Sequence, residues 1–406
     1  MLRVRGRTGL AIVVPFCLGY FVSYVLRAVN AVIAPDLVRE LGIGPSQLGL
    51  LTSTYSLAFA LAQLPVGLAL DRHGARRVVA ALLAVATAGT VIFAAGHSFV
   101  TLAVGRGLAG LGVSACLMGG FKVFGDNFPR DRQASLTGLI MAAGTSGALA
   151  ASAPLAWALP LVGWRGALAL VAALCGLTAL LVLAVVPAQA AAGTHGEPPA
   201  AQLRALGAVF RSRPFWRYAP QAALFTGGFM ALQGLWIATW STAVDGRSAE
   251  ATAALLFAFN GGLLLGQAAI SAGATALGRA GVARDRMMTA GLALALVLEG
   301  LLVARVVNGV GFWLALGFCN AAGAQVYGVA TDHFPPALAG RVSTALNLLA
   351  FTGAFAIQWG IGVAVEAIGG SRALQLSFAA LWVGQALAVG WSVVGARAPA
   401  GTSVVA

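Results

Sequence analysis

Gly67–Arg77 reads GLALDRHGARR, a short polar hinge between two long apolar runs, Leu48–Leu70 and Val78–Ala95. Its eleven residues hold Asp71, Arg72, Arg76 and Arg77 together with Gly67 and Gly74. Apolar runs of roughly 20 residues cross the hydrocarbon layer of a bilayer as helices, so the hinge joins two membrane-length helices at one surface. Gly67 lets a neighbouring helix come close. Gly74 supplies the left-handed backbone of a tight reversal.

The rest of the chain has the same texture. Of 406 residues, 59% are hydrophobic and 9% charged, whereas a soluble domain carries roughly a quarter of its residues as charges. The chain is therefore a polytopic membrane protein with the bilayer as its surroundings. Its net charge of +13 does not point to nucleic acid, because the arginines are scattered singly or in pairs between apolar runs rather than gathered on one soluble face. Cys17, Cys116, Cys175 and Cys319 all lie inside apolar runs, which indicates neither a disulfide framework nor a metal site. No G-x-x-x-x-G-K-[ST] loop occurs, so ATP is not expected as the energy source. No polar segment is large enough for a catalytic domain; neither a cofactor nor an enzymatic activity is expected. Arg3, Arg5 and Arg7 precede an apolar run too long for the core of a signal peptide, so the first helix is expected to be retained.

Twelve runs long enough to span fall near 10–34, 46–70, 77–96, 98–124, 134–160, 163–186, 215–243, 249–277, 287–306, 309–331, 341–366 and 372–395. With the N-terminus cytoplasmic, 17 loop arginines fall on that side and only Arg39, Arg165, Arg247, Arg305 and Arg372 on the other. The positive-inside rule thus places both termini in the cytoplasm, for a protein expected in a bacterial inner membrane. The longest polar interruption, Pro187–Pro214, divides the chain into bundles over 1–186 and 214–396, a linker over 187–213 and a disordered tail over 397–406. Leu203–Arg211 is basic and partly amphipathic, and is expected along the cytoplasmic membrane surface.

The two halves repeat each other. Asp126-Asn127-Phe128-Pro129 closes the fourth run, and Asp332-His333-Phe334-Pro335 closes the tenth. Arg72, Gly74 and Arg77 recur as Arg279, Gly281 and Arg284, while Asp71 has become Gly278. The hinge pattern G-x-x-x-D-R-x-G-x-R-R resembles the loop between helices 2 and 3 of the major facilitator superfamily of transporters, and the resemblance covers essentially the whole chain. It implies an all-α fold of 12 transmembrane helices in two pseudo-symmetric six-helix bundles, with the transport path between them near the bilayer midplane. It also implies a conformational latch. Asp71 lies at a helix C-terminus, where the dipole disfavours a negative charge. It is expected to contact the start of helix 11 near Arg341 when the cytoplasmic side is closed, and Asp126 to pair with Arg72, Arg76 or Arg77. Arg106, Gly110 and Gly112 form R-x-x-x-G-x-G in the fourth run, similar to a second motif of that superfamily. Arg106 reads either as a structural arginine bonded within its half or as a substrate ligand.

Ionisable groups inside a membrane are costly and are functional candidates by default. Here they are Arg27, Arg106, Lys122 and Glu299. Arg27 shares a helical stripe with Tyr24 and Asn30. Its planar fork suits a carboxylate or phosphate, although an arginine can also bond carbonyls at a kink or snorkel outward. Tyr24-x-x-Arg27 followed by Pro35 looks like the first helix of the anion-transporting facilitators, which implies that Arg27 binds the substrate's anionic group. Lys122 is the only lysine in the chain. It reads as a cavity charge or as a side chain snorkelling to the cytoplasmic surface. Glu299 lies on the ninth helix, peripheral in the resembled fold, which favours a packing or interfacial role.

The C-terminal half offers uncharged groups. Gln233, Trp236 and Trp240 share one face of the seventh run, Asn260 and Gln267 one face of the eighth, and Asn347, Gln358 and Trp359 lie in the eleventh. Such stripes serve as helix–helix glue or, in helices that line the cavity of the resembled fold, as ligand contacts. Past Arg217 at its cytoplasmic start the seventh run has no arginine, unlike the organophosphate antiporters of the resembled superfamily, which weighs against a phosphate ester; the fifth lacks the G-P-x-x-G-G of that superfamily's drug/proton antiporters, which disfavours drug efflux. The expectation is a monomeric secondary transporter of a small organic anion, a carboxylate by preference, with H+ or Na+ as a possible coupling ion. Efflux of amphipathic compounds, and a non-transporting sensor or assembly role on the same fold, are the alternatives.

Overall fold

Helices make up every regular element of the computed structural model among the residues it describes, which are 7–187, 199–335 and 338–395. The glycine- and proline-rich start of the linker and the tail at 397–406 lie outside them. Ten helical stretches are long and apolar enough to cross a membrane. Two further crossings are assembled from shorter pieces, giving twelve.

The first crossing is α1 (Arg7–Ala28) and α2 (Asn30–Leu41), broken at Val29. α3 (Pro45–His73) and α4 (Ala75–Ala95) flank the hinge at Gly74. α5 (Phe99–Val113) and α6 (Cys116–Asn127) form the fourth crossing. α7 (Arg130–Ala150) continues into α8 (Ala153–Val185), which Gly163 divides into the end of the fifth crossing and the sixth. After α9 (Pro199–Arg211), the seventh crossing joins α10 (Arg213–Gln221), α11 (Gly227–Ala231) and α12 (Ile237–Ala243) through π-helical turns at Ala222–Thr226 and Leu232–Trp236. α13 (Ala249–Arg279) and α14 (Arg284–Val303) follow. The tenth crossing is α15 (Val310–Asn320) and α16 (Val326–Thr331), linked by a 3-10 segment at Ala321–Gln325. α17 (Ala339–Ile368) and α18 (Gly370–Val394) complete the bundle. The first and fourth crossings of each half are thus broken, as is the fifth at Ala151 and Ser152, and broken backbone is tolerated at membrane depth where protein or a cavity surrounds it.

The internal repeat extends to backbone geometry. Gly74 and Gly281 turn with φ of 78° and 79°, and Gly163 and Gly370 with φ of 65° and 66°. Each pair is 207 positions apart, and the second is followed two residues later by Arg165 and Arg372. Side chains rarely adopt that region, so glycine at these four positions follows from the turns themselves.

The halves meet chiefly along α3 and α17, which run antiparallel. A Cβ on Gly49 would lie 2.8 Å from the Gln358 carbonyl oxygen, and one on Gly362 would lie 2.5 Å from that of Pro45. Further along, the rings of Phe59 and Phe351 stack with centroids 3.9 Å apart, and the Asn347 amide donates to Gln63 Oε1 at 2.8 Å. A core shared by both halves, including Ile33, Leu37, Trp236, Trp240 and Phe378, fills the end of the bundle that holds Ser46 and Glu366. That end is closed. At the opposite, arginine-rich end, which holds the hinge and the start of α17, the cores of the two halves are separate apart from Phe351 of α17, which joins that of the N-terminal half. The apolar face of α9 is covered by protein: Leu206 and Val209 pack into the C-terminal half's core with Phe215 and Tyr218.

Candidate functional site

Between the halves, a cavity of about 1140 Å³ reaches from the middle of the bundle to the arginine-rich end. Its charged lining is Arg27, Lys122 and Arg341 against a single carboxylate, Asp71. Three cations and one anion around a volume walled by apolar helices favour a negatively charged occupant.

Arg27 sits one residue before the end of α1, on the wall of this cavity, with only 8% of its surface exposed. Its guanidinium carbon lies 3.8 Å from the centre of the Tyr24 ring, a cation–π contact that holds the fork against one wall. Nε and Nη2 have no hydrogen-bond partner among the described residues. Two adjacent N–H groups of one guanidinium, buried and unpaired, match the two oxygens of a carboxylate. Tyr24 is itself positioned by Tyr20, whose hydroxyl donates to it at 3.5 Å and whose ring meets it edge-on at 5.0 Å. Space for both rings comes from Gly144 on α7: a Cβ there would lie 2.6 Å from Tyr20 and 3.0 Å from Tyr24.

The break after Arg27 has a specific support. Arg106, 2% exposed, reaches from α5 and donates Nη1 to the Leu26 carbonyl and Nη2 to the Arg27 carbonyl, the latter at 3.4 Å. A helix end leaves carbonyls without intrahelical donors, and a guanidinium satisfies two at once. Arg106 is therefore a positioning residue; it acts on the site through the backbone that carries Arg27. Gly110 and Gly112 bring α5 against its neighbours, since a Cβ on either would lie 2.3 Å from the backbone of Tyr55 or Ala86.

Lys122 lines the cavity and pairs with Asp71, Nζ to Oδ1 at 2.6 Å. Asp71 thus has a partner inside its own half in this conformation, and Arg341 of α17 lies across the open cavity. Gly67 also faces that opening; a Cβ there would meet nothing within 4 Å, so the close helix approach expected at Gly67 is absent from this state. Arg76 donates to the Leu183 carbonyl, which ties the hinge to the sixth crossing. Arg72 and Arg77 are exposed, and Asp126 lies at the end of α6.

Four residues expected at the substrate lie instead in the closed part of the bundle. Asn30 is fully buried and donates to Thr52 at 3.0 Å. Gln233 donates to Asn260 at 2.6 Å, and the Trp236 indole donates to the Gln358 carbonyl at 3.0 Å. Trp240 packs against Phe378, ring centroids 4.5 Å apart. None of the four lines the cavity. With the far end closed, the face of the seventh crossing that carries Gln233, Trp236 and Trp240 is covered by α2, α13, α17 and α18.

The polar lining that sequence reasoning missed includes Tyr20, Gln63 and Tyr327. The Tyr327 hydroxyl donates to Asn347 Oδ1 at 3.1 Å, and Asn347 in turn donates to Gln63. This chain crosses between the halves at the level of the cavity. Each of the three is a polar group in an apolar run, which was the available indication, but nothing in the local pattern singled them out from other such groups.

The sequence profile of the Major Facilitator Superfamily matches residues 16–358. Among characterised relatives, the galacturonate transporter of Dickeya chrysanthemi is 30% identical over 169 residues, 39% of this chain and 48% of that protein. A probable L-galactonate transporter of Escherichia coli strain K12 is 32% identical over 149 residues, 36% of this chain and 32% of that one. Human monocarboxylate transporter 11 is 34% identical over 186 residues, 44% of this chain and 38% of that one. Each of these matches spans less than half the relative's length. Among solved structures, a bacterial homologue of the human lysosomal transporter Spinster, in an inward-facing and unoccupied conformation, superposes with a TM-score of 0.74 at 18% identity over 97% of this chain and 98% of that one. A D-xylose–proton symporter gives 0.71 at 14% identity over 96% and 97%. At these identities the likeness speaks for the fold alone.

Proposed function

Because the chain belongs to the Major Facilitator Superfamily, we propose that it is a secondary transporter that moves a small organic anion, a sugar acid or similar carboxylate, by alternating access. The observation that carries this reading is the Arg27 guanidinium, buried on the cavity wall with Nε and Nη2 unpaired. The substrate carboxylate docks on that fork, and the hydroxyl and amide groups of Tyr20, Gln63, Tyr327 and Asn347 receive its hydroxyls. The similarity to a galacturonate transporter and a probable L-galactonate transporter supports this chemistry. The arginine-rich end, with both termini, faces the cytoplasm of a bacterial inner membrane, so the conformation described is open inward. The protein works as a monomer, and no chemical conversion of the substrate is assigned to it.

The test is binding and uptake of D-galacturonate and D-galactonate, with D-galactose as the neutral control, by the purified chain in detergent and in proteoliposomes. Both acids are expected to stabilise and to be transported, and the neutral sugar to do neither. Arg27→Ala should weaken binding by about 1.5–3 kcal/mol, the range for a hydrogen bond to a charged group, or roughly 10- to 100-fold. Arg27→Lys should also fail, because an ammonium lacks the bidentate fork. Unchanged affinity in Arg27→Ala would overturn the assignment.

A further inference from the structure

Glu299 has no part in the site described above, yet it is the one carboxylate buried in the bundle among the described residues, with 6% of its surface exposed. It lies on α14 and borders a small enclosed void of about 20 Å³, room for a water molecule. The void's walls are apolar apart from Glu299, Asn320, Gln385 and the Trp382 indole nitrogen. That nitrogen is engaged with the Leu296 carbonyl. Gln385, on α18, is fully buried with neither its Nε2 nor its Oε1 hydrogen-bonded among the described residues. Asn320, at the end of α15, borders the void beside Glu299, donates its amide to the Leu316 carbonyl at 3.1 Å, and lines both the void and the main cavity. No arginine, lysine or histidine from α11, α15 or α18 lines the void.

A carboxylate in such surroundings, with no cation beside it, is very costly unless it holds a proton. A purely structural acid would not need a polar void with an unpaired amide next to it, nor a polar side chain leading from it to the transport cavity. On its other side the void is bounded by Leu302, Val303 and Trp313 of the closed end. We propose that Glu299 is the proton-carrying site of this transporter, exchanging its proton with the inward-open cavity by way of a water that Gln385 holds and that reaches the cavity beside Asn320. The step is a single proton transfer. A Glu299 carboxylate oxygen takes up a proton from hydronium when its void opens toward the far side, and returns it in the state described here to the water in the void, which passes a proton on to cavity water beside Asn320. No other bond changes.

This inference rests on the transport reading, and two measurements separate their failures. The first needs no substrate: infrared titration of wild type and Glu299→Gln in lipid. A carboxylic-acid carbonyl band present in wild type, absent from Glu299→Gln and responsive to bulk pH is expected. A band that does not respond to pH, or no difference between the two proteins, would show a sealed or uninvolved residue and overturn the proposal. The second is uptake of D-galacturonate into proteoliposomes with and without an inward proton gradient. Wild type should accelerate with the gradient. Glu299→Gln should lose that acceleration while keeping substrate exchange across the membrane, and Glu299→Asp should keep part of it. Gradient-driven uptake by Glu299→Gln equal to wild type, or absent gradient dependence in a transporting wild type, would overturn it. Failure of wild type to handle either sugar acid counts against the proposed substrate and leaves the infrared result to decide on Glu299.

Discussion

Glu366, in the last turn of α17, accepts a 3.0 Å hydrogen bond on Oε2 from the backbone N–H of Ser46 in the first turn of α3. The two residues belong to opposite halves of the chain. A helix N-terminus offers unpaired N–H groups and the positive end of the dipole, so this contact fastens the closed end of the bundle. Glu366→Gln should loosen it and move the population toward the state open at that end. Labelling of Leu68→Cys, on the cavity wall, in a background with the four native unpaired cysteines replaced, should fall. Ser46→Pro removes the same donor at a position where a helix tolerates proline, and should act in the same direction. Unchanged labelling in both variants would show that the contact does not hold the state.

The opposite end should carry the complementary latch. Gly49 lies against Gln358, Phe59 against Phe351 and Gln63 against Asn347. Continuing that antiparallel register to Asp71 brings it opposite Ala339, the first residue of α17. In the open state Asp71 pairs with Lys122 instead, and with the two side chains 56% and 29% exposed the pair is worth at most about 1 kcal/mol. Asp71→Asn is therefore expected to raise labelling of Leu68→Cys and slow turnover, with substrate affinity in each state little changed. Lys122→Gln removes only the open-state pair and should lower the labelling. Wild-type labelling and turnover in Asp71→Asn would reduce the hinge to a basic turn.

Arg106 tests whether the broken first crossing is held from α5. Arg106→Lys keeps the charge but reaches at most one of the Leu26 and Arg27 carbonyls well. The expected result is a loss of affinity for the sugar acid well beyond any fall in thermal stability. A parallel decline of both would make Arg106 a packing residue only.

Gly144→Val would drive a side chain into Tyr20 and Tyr24. Overpacking typically costs about 1–3 kcal/mol, and here the displaced ring is the one that holds Arg27. Substrate affinity should drop in this variant, whereas Gly138→Val on the same helix, where a Cβ meets nothing within 4 Å, should bind normally.

Glu40 predicts an acid dependence at the closed end. A hydrogen bond from Arg165 is the main cause that lowers its pKa below the ordinary carboxylate value, and the Trp164 indole adds a bond of 3.0 Å. A carboxyl with a depressed folded pKa contributes stability above its unfolded pKa and loses it as pH falls through the folded one. The Tm gap between wild type and Glu40→Gln should therefore be widest at neutral pH and close below about pH 4. A gap constant across that range would exclude the pair as its source.

The repeat, the hinge and the twelve crossings were legible in the sequence because they depend on local quantities: the length of an apolar run, the placement of glycine at a turn, the cost of a charge in lipid. Arg27 was legible for the same reason, since an arginine inside a membrane-length apolar run must find water or an acceptor wherever the run is packed. Other features were decided by the tertiary structure. Periodicity assigned Gln233, Trp236 and Trp240 to one helix face but said nothing of what covers that face, and in the state closed at the far end it is α2, α13, α17 and α18. Lys122 acquired Asp71, and Glu366 acquired the N-terminus of α3, through contacts between segments 51 and 320 residues apart. A protein with two openings buries different faces in each state, and one amino-acid sequence encodes both; which residues line the cavity at a given moment is a property of the packing.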